Sequence, residues 1–480
     1  MTDEPSKRTE RFRPVRSGRV RRTVPVAGFA ARAAGGRVIA GLRAGTGDRE
    51  AIDRFHQRTS ERYAELLGHS KGVLMKAGQL LSTLDVDDVD DIESGPMATY
   101  QQALQRLQSD APPMDAQTAR EIVEDDLGAP TDDLFAEFSA DPLAAASIGQ
   151  VHRARLHDGR RVAVKIQYPG VAQAIRDDLR NTELLATFLK LGMSLTSRSM
   201  PTDQRGAAAE VAERIAEELD YRREARNIAR FADLFRDHPF IRVPEVIPER
   251  CGTRVLTMTY LDGISWSEAK KADEDLRNQW ALSIGYFAFS GYRHSNLFNA
   301  DPHPGNYRFG ADGSVGFVDF GCVKEFPEHV RHGIVAMVRA TVDGDRDELF
   351  RLMTDHGFVE ESTDLDPDEA FRWWEMSVSS IIAEQPHTFT PADGTALMRS
   401  LFDDGALGTA LRKMDVPSDY LMISRINLGV NAVFSALGAT LDTREQADVL
   451  DGVGEPRSQM AKLHAEWART RGLPFGLDER

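Results

Sequence analysis

Two aspartates and an asparagine fall within one stretch of this chain, Phe298 to Cys322, which reads FNADPHPGNYRFGADGSVGFVDFGC. Asp301 and Asn306 lie five residues apart on one loop. A strand–turn–strand is expected next: Asn306 to Phe309, a turn at Ala311-Asp312-Gly313, then Val315 to Val318. That hairpin would bring Asp319 beside the first loop, followed by Phe320 and Gly321. Two carboxylates and an amide are hard oxygen donors, and their order suits the handling of a magnesium nucleotide.

A magnesium nucleotide also needs a cation on its phosphates. Lys165 closes the β-branched strand Val162-Ala163-Val164-Lys165, and its ammonium could hold the α- and β-phosphates if a helix carboxylate fixes it. Glu218 and Glu224 both qualify as that carboxylate. Asp220 and Glu224 are one helical turn apart, while Glu218 and Asp220 are offset, and a solvated, charge-laced helix face reads equally well. Ahead of the lysine, Ala144, Ala145, Ala146, Ser147, Ile148, Gly149 and Gln150 form an expected small-residue loop. Its alanine Cβ atoms restrict backbone approach, so phosphates would meet fewer or differently aimed N–H groups. The adenine ring is expected against backbone near Met258, Tyr260 and Leu261. Lys76 and Gln79 share one face of an otherwise apolar helix, either as an exposed stripe or as a polar pair aimed at another domain.

The elements that would position these groups run in order. Residues 1–47 are basic, with Lys7, Arg8, Arg11, Arg13, Arg16, Arg19, Arg21 and Arg22, and read as a disordered arm or as an attachment to an anionic membrane surface. Residues 48–128 read as a helical extension, in which Asp115 caps the helix Asp115 to Leu127 and Gly128 stops it. Residues 129–260 hold a small antiparallel sheet with a helical insert. Its strands are expected at Leu134 to Ser139, at Val151 to Leu156 and Arg161 to Gln167 around the turn Asp158-Gly159, and at Ile241 to Pro244 and Val255 to Tyr260. A long helix is expected from Thr202 to His238. Residues 261–480 are mostly helical, with a buried helix around Gln279 to Tyr292. The fold class expected is α+β and two-lobed, with a nucleotide between the lobes.

The formal net charge of -16 argues against nucleic acid as a partner. Cys251 and Cys322 are the only cysteines, too few for a disulfide framework, which suits a reducing cytosol. No signal-type apolar run opens the chain, and no run of about 18 apolar residues is expected to span a bilayer; the nearest, Leu428 to Leu441, is short and carries two asparagines and a serine.

Taken together, these residues resemble the UbiB/AarF family of atypical protein-kinase-like ATPases, which includes the coenzyme Q biosynthesis kinases. The K-x-G-Q motif matches Lys76, Gly78 and Gln79, and the alanine-rich loop matches Ala144 to Ala146 with Ser147 to His152. The strand lysine matches Lys165, the E-x-D motif matches Glu218 and Asp220, and the helix glutamate matches Glu224. D-P-H-P-G-N is Asp301 to Asn306, and the metal aspartate is Asp319. The resemblance implies a protein-kinase-like fold with a helical extension over the site, in which Lys76 and Gln79 meet Glu218 and Asp220 in a regulatory role. It implies ATP or ADP and Mg2+ as cofactors, catalytic roles for Asp301, Lys165 and Glu224, and metal ligation by Asn306 and Asp319. A lipid or quinone-precursor ligand is implied too. Many bacterial members end in transmembrane helices, whereas this chain ends in the polar WARTRGLPFGLDER. The expected location is therefore cytoplasmic, or peripheral at the inner face of the membrane.

Two functions follow as expectations. The first is an ATPase or a small-molecule or lipid kinase that supports quinone or isoprenoid lipid metabolism. The second is a nucleotide-gated lipid-binding or chaperone-like protein with little phosphoryl transfer. An antibiotic-type phosphotransferase shares the acidic loop but gives Lys76 and Gln79 no task.

Overall fold

The computed structural model describes residues 114–146, 148–173, 175, 219–360, 363–390 and 413–477. The basic arm, the stretch with Lys76 and Gln79, Ser147 and Glu218 lie outside the described residues. The chain divides into two compact units, Met1–Ala225 with Val246–Tyr260, and Arg226–Glu245 with Leu261–Arg480.

In the first unit, helix α1 (Ala116–Leu127) starts where expected. The Asp115 carboxylate accepts the Thr118 N–H at 2.9 Å, and Gly128 ends the helix at φ 75, a left-handed conformation that glycine reaches without strain. The sheet is antiparallel in the order β1–β2–β3–β5: β1 (Glu137–Ala146), β2 (Gly149–Arg155), β3 (Arg161–Gln167) and, after β4 (Ile241–Arg242) of the other unit, β5 (Val255–Thr259). Val162, Val164, Ile166 and Val255 pack with Ile122 and Val123 of α1 in one core cluster. Each such side chain contributes roughly 1.5–3 kcal/mol on burial.

Two local expectations are corrected. Leu134 does not open a strand: Thr131–Leu134 is a helical turn, held by the Glu124 carboxylate, which accepts both the Thr131 N–H and its hydroxyl, and β1 begins at Glu137. Ala144 to Ala146 are not a loop either. They are the end of β1, paired with Val151, Gln150 and Gly149. Gly149 is required there, because a Cβ on it would stand 2.0 Å from the Ile166 carbonyl oxygen.

Helix α2 (Tyr221–Leu234) carries the chain from one unit into the other. The expected Thr202 to His238 helix is not continuous: the Asp220 carboxylate accepts the Arg223 N–H at 2.9 Å and caps α2 there, while residues 202–218 lie outside the described residues. In the second unit, helix α3 (Glu274–Ser295) is buried on most sides, through Trp280, Ile284, Tyr286 and Phe287 among others. It ends at Asn296 in a left-handed conformation, φ 61, and leads into β6 (Leu297–Asn299). The expected hairpin is present as β7 (Tyr307–Phe309) and β8 (Val315–Phe317), with β4 parallel to β8, and β9 (Val323–Glu325) pairs with β6. Among the described residues the unit also holds helices α4 (Glu328–Asp343), α5 (Arg346–Asp355), α6 (Pro367–Ser377), α7 (Ser418–Leu437), α8 (Thr443–Asp451) and α9 (Gln459–Thr470).

The reading that no stretch could span a bilayer needs amendment: α7, 20 residues, is long and apolar enough by length and composition. Ile426, Val430, Phe434 and Leu437 are buried, and α7 packs on α3, which accounts for the same apolarity as a core helix.

Three buried histidines of this unit form a directed hydrogen-bond chain that sequence reading did not find. The Phe240 and Ile241 N–H groups donate to His238 Nδ1, so the His238 proton sits on Nε2 and is donated to His464 Nδ1 at 3.0 Å. His464 Nε2 then donates to His294 Nε2 at 3.3 Å, and His294 Nδ1 donates to the Pro474 carbonyl at 2.6 Å. Burial, then the neighbouring basic groups, holds His238 and His464 well below the usual histidine range. With folded values depressed, the unfolded chain binds more protons below about pH 6.5, so stability is complete above that pH and is lost as pH falls. Denaturant titrations at pH 7.5 and 5.5 should differ by roughly 2–3 kcal/mol for the two histidines, the acid side being weaker. A flat profile over that range would remove the assignment of a neutral chain.

Candidate functional site

In the first unit, β3 delivers Lys165 and the first turn of α2 delivers Glu224. Lys165 Nζ lies 2.8 Å from Glu224 Oε1 and 3.0 Å from Oε2. Both residues are buried, at 7% and 3% exposure, and the ammonium also stands 5.3 Å from the centre of the Tyr221 ring. Geometry thus selects Glu224. Gln167 Nε2 donates to the Leu219 carbonyl at 2.9 Å and, with the Asp220 cap, anchors the helix start beside β3. Asp220 is in this structure a helix cap; its expected partner Lys76, and Gln79 and Glu218 of the same proposed regulatory group, are outside the described residues.

Gln150, in the alanine-rich motif, has a task that the sequence did not disclose. Its amide accepts the Met114 N–H at 2.9 Å and donates to the Met114 carbonyl at 3.1 Å, as a strand neighbour would. Its nitrogen also lies 2.8 Å from His152 Nε2, while His152 Nδ1 lies 2.9 Å from the Ser139 carbonyl. Every group in this buried network is matched, which fixes where α1 leaves the sheet. Met258 is buried in β5 opposite Ala163. The Tyr260 ring faces the guanidinium groups of Arg153 and Arg161, 5.5 and 5.3 Å from its centre. Leu261 opens the longer segment of the second unit.

In the second unit the acidic loop and the hairpin are tied together at several points. Trp280 Nε1 donates to the Gly310 carbonyl at 2.8 Å and Ser283 Oγ to the Gly313 carbonyl at 3.0 Å, so α3 holds the hairpin turn. The Val318 N–H donates to the Asn306 carbonyl at 3.0 Å, which sets Asp319 beside the loop. Asn299 is the clamp that sequence reasoning missed. Its Nδ2 donates to the Asp319 carbonyl at 2.9 Å, and its Oδ1 accepts the Asp301 N–H at 3.1 Å. Asn227 Nδ2 donates to the Phe320 carbonyl at 2.9 Å, and Phe320 is fully buried against Phe231 and Phe287. A polar residue two before Asp301 was the only signal for Asn299, and asparagines are common in loops.

Asp301, Asn306 and Asp319 are each half-buried. Asn306 Nδ2 donates to Asp301 Oδ2 at 3.2 Å, which turns the amide oxygen to the other side as a donor for a cation. Asp319 Oδ1 accepts the Gly321 N–H at 3.0 Å. Among the described residues no three His, Cys, Asp or Glu side chains gather as a metal cage. One carboxylate and one amide oxygen instead fit magnesium, which takes its remaining ligands from phosphates and water. The buried Tyr307 next to this loop has its hydroxyl pushed up in pKa by burial, then by Asp301, so it stays neutral.

Residues 106–353, just over half the chain, match the ABC1 atypical kinase-like domain. The chain is 36% identical over 272 residues to Protein ACTIVITY OF BC1 COMPLEX KINASE 1, chloroplastic, of Arabidopsis thaliana, a match that covers 56% of this chain and 39% of that protein. It is 33% identical over 309 residues to Atypical kinase COQ8B, mitochondrial, of Rattus norvegicus, covering 63% of this chain and 55% of that one. The chain therefore spans about half or less of these relatives. Among solved structures, that of Rv3197 from Mycobacterium tuberculosis in complex with erythromycin matches with a TM-score of 0.59 at 29% identity, over 87% of this chain and 99% of that one.

Proposed function

The chain belongs to the ABC1 atypical kinase-like (UbiB/AarF) family, and from that premise we propose that it binds a magnesium nucleotide and transfers its terminal phosphoryl group to water or to a small-molecule or lipid hydroxyl. The observation that carries this reading is the buried Lys165–Glu224 pair. A buried ion pair is a poor way to gain stability, since desolvating two charges offsets most of their attraction. Its presence argues for a task, and an ammonium held rigid by a carboxylate suits the α- and β-phosphates.

The proposed roles rest on the residue types and on the contacts described above. Lys165 binds the phosphates and Glu224 holds it in position. Asp319 and Asn306 would hold magnesium, which supplies charge neutralisation on the phosphate oxygens. Asp301, steadied by Asn306 and by its N–H bond to Asn299, orients the attacking hydroxyl and accepts its proton as the bond to phosphorus forms and the nucleoside diphosphate leaves. Ala144 to Ala146, Met258, Tyr260 and Leu261 are assigned to contact with the nucleotide, together with Ser147, which lies outside the described residues. Lys76 and Gln79 with Glu218 and Asp220 regulate access. We place the acceptor in quinone or isoprenoid lipid metabolism, with the basic arm meeting an anionic membrane. A second reading, a nucleotide-gated protein that binds a lipophilic ligand with little turnover, draws support from the erythromycin complex of Rv3197.

Thermal shift with ADP or ATP and magnesium should raise the melting temperature, and labelled ATP should lose phosphate faster with anionic liposomes present. Incubation with cell lipid and protein extract would then show whether phosphate goes to water, lipid or protein. Binding without turnover in every condition would favour the second reading, and no shift with either nucleotide would remove both.

A further inference from the structure

The segment that carries Asp301 crosses two helices of the second unit, and each helix has a glycine at the crossing. β6 follows α3 directly and packs against it. A Cβ on Gly291 of α3 would stand 2.1 Å from the Leu297 carbonyl oxygen. Farther along the segment, a Cβ on Gly429 of α7 would stand 2.4 Å from Pro302 Cγ and 3.4 Å from Pro302 Cβ. Gly429 is the only glycine within α7, SDYLMISRINLGVNAVFSAL. A glycine inside a helix is less stable there than an alanine, because it loses more backbone freedom on folding. No left-handed conformation calls for it either, since Gly429 lies in the helix with a negative φ. What calls for it is the close approach of Pro302.

A flexible side chain could swing away from an added methyl group. The Pro302 ring cannot, because it closes on its own backbone nitrogen. Carbon atoms rest about 3.5–4.0 Å apart, so an alanine at 429 must push the ring or the helix by about 1 Å. The Pro302 nitrogen is bonded to the Asp301 carbonyl carbon, and a shift of the ring passes straight to Asp301. The rest of the loop is held by hydrogen bonds. Asn299 Oδ1 accepts the Asp301 N–H at 3.1 Å, and the Ala300 N–H donates to the Cys322 carbonyl at 2.8 Å.

We infer that Gly429 is a positioning residue: its missing side chain sets how close the loop lies to α7 and, through Pro302, where the Asp301 carboxylate stands. The task of Asp301 rests on the nucleotide reading; the coupling of Gly429 to the loop does not.

Gly429→Ala, Pro302→Ala and the double variant, each made in the full chain, close a cycle with the parent. Alanine at 302 keeps the Cβ at 3.4 Å and removes the ring carbon at 2.4 Å. Amide hydrogen exchange in peptides across residues 299–306 needs no nucleotide. Gly429→Ala should speed it about tenfold with proline at 302 and under about threefold with alanine there. In turnover, Gly429→Ala should lower kcat by about 10- to 10²-fold, the scale of a 1 Å misplacement, and leave the nucleotide KM within about threefold, since Lys165 is untouched. With alanine at 302 the same substitution should lower kcat by under about threefold. Helix content by circular dichroism should match the parent, alanine being the better helix former. Equal losses in both backgrounds overturn the role of Gly429, and so do exchange and kcat that both stay within about twofold of the parent. Coupling in exchange without coupling in kcat, or a fall in turnover carried wholly by KM, overturns the link to Asp301. A parent with no turnover removes the nucleotide reading, and the exchange cycle then decides the coupling of Gly429 to the loop by itself.

Discussion

Glu224→Gln is expected to destabilise the chain by roughly 3–5 kcal/mol, the range for removing one partner of a buried ion pair. The substitution keeps the shape of the side chain and deletes only the charge. Lys165 remains 7% exposed. Its ammonium loses a carboxylate that now contacts it through both oxygens at 2.8 and 3.0 Å. The Tyr221 ring at 5.3 Å offsets only part of this, since a cation–π contact contributes about 0.5–2 kcal/mol. The double variant Lys165→Met/Glu224→Leu should recover most of the loss, because it removes the desolvation cost of both charges. Urea unfolding of the parent, the two single variants and the double variant completes a thermodynamic cycle. A loss under about 1 kcal/mol for Glu224→Gln would mean that the pair is solvated and not the fixed phosphate holder proposed above. Under the nucleotide reading, the double variant should be stable and inactive, which separates the functional task of the pair from its structural one.

Asp319→Asn is the second large effect. The amide oxygen can still accept the Gly321 N–H, and the main-chain carbonyl can still accept from Asn299. The fold should therefore survive, with a melting temperature close to the parent. What is lost is the negative charge that would hold magnesium against the phosphates. Metal stabilisation of developing charge amounts to several kcal/mol, so nucleotide turnover should fall by about 10²- to 10⁴-fold. The magnesium concentration for half-maximal turnover should rise in whatever activity remains. Turnover equal to that of the parent, at matched magnesium, would show that Asp319 is not the metal ligand.

Local chemistry made a good part of the molecule legible from its residues. Asp115 and Gly128 mark the ends of α1, because a cap and a left-handed stop act within one turn of the chain. The turn at Asp158-Gly159 and the β-branched residues in Val162 to Lys165 mark the β2–β3 pair, and Gly159 has a positive φ of 89. The hairpin that carries Asp319 was legible for the same reason. The alanine segment was misread as a loop because small residues carry no strand signal of their own. Its pairing with β2 is imposed by the neighbour, and by the absence of a Cβ at Gly149.

By itself the amino-acid order determined the family, the sequence of chemical groups and the loop that sets Asp301 five residues before Asn306. All of these depend on residues near one another along the chain. Tertiary structure decided which carboxylate meets Lys165, since Glu224 lies 59 residues away and two glutamates were equally good on composition. It decided that Asn299 joins Asp301 to Asp319 across 20 residues, and that His238 meets His464 across 226. Hydrogen bonds and desolvation act over a few ångströms in space and are indifferent to distance along the chain. For that reason, residue types and spacing could name the chemistry, and only the packed chain could say which groups carry it out together.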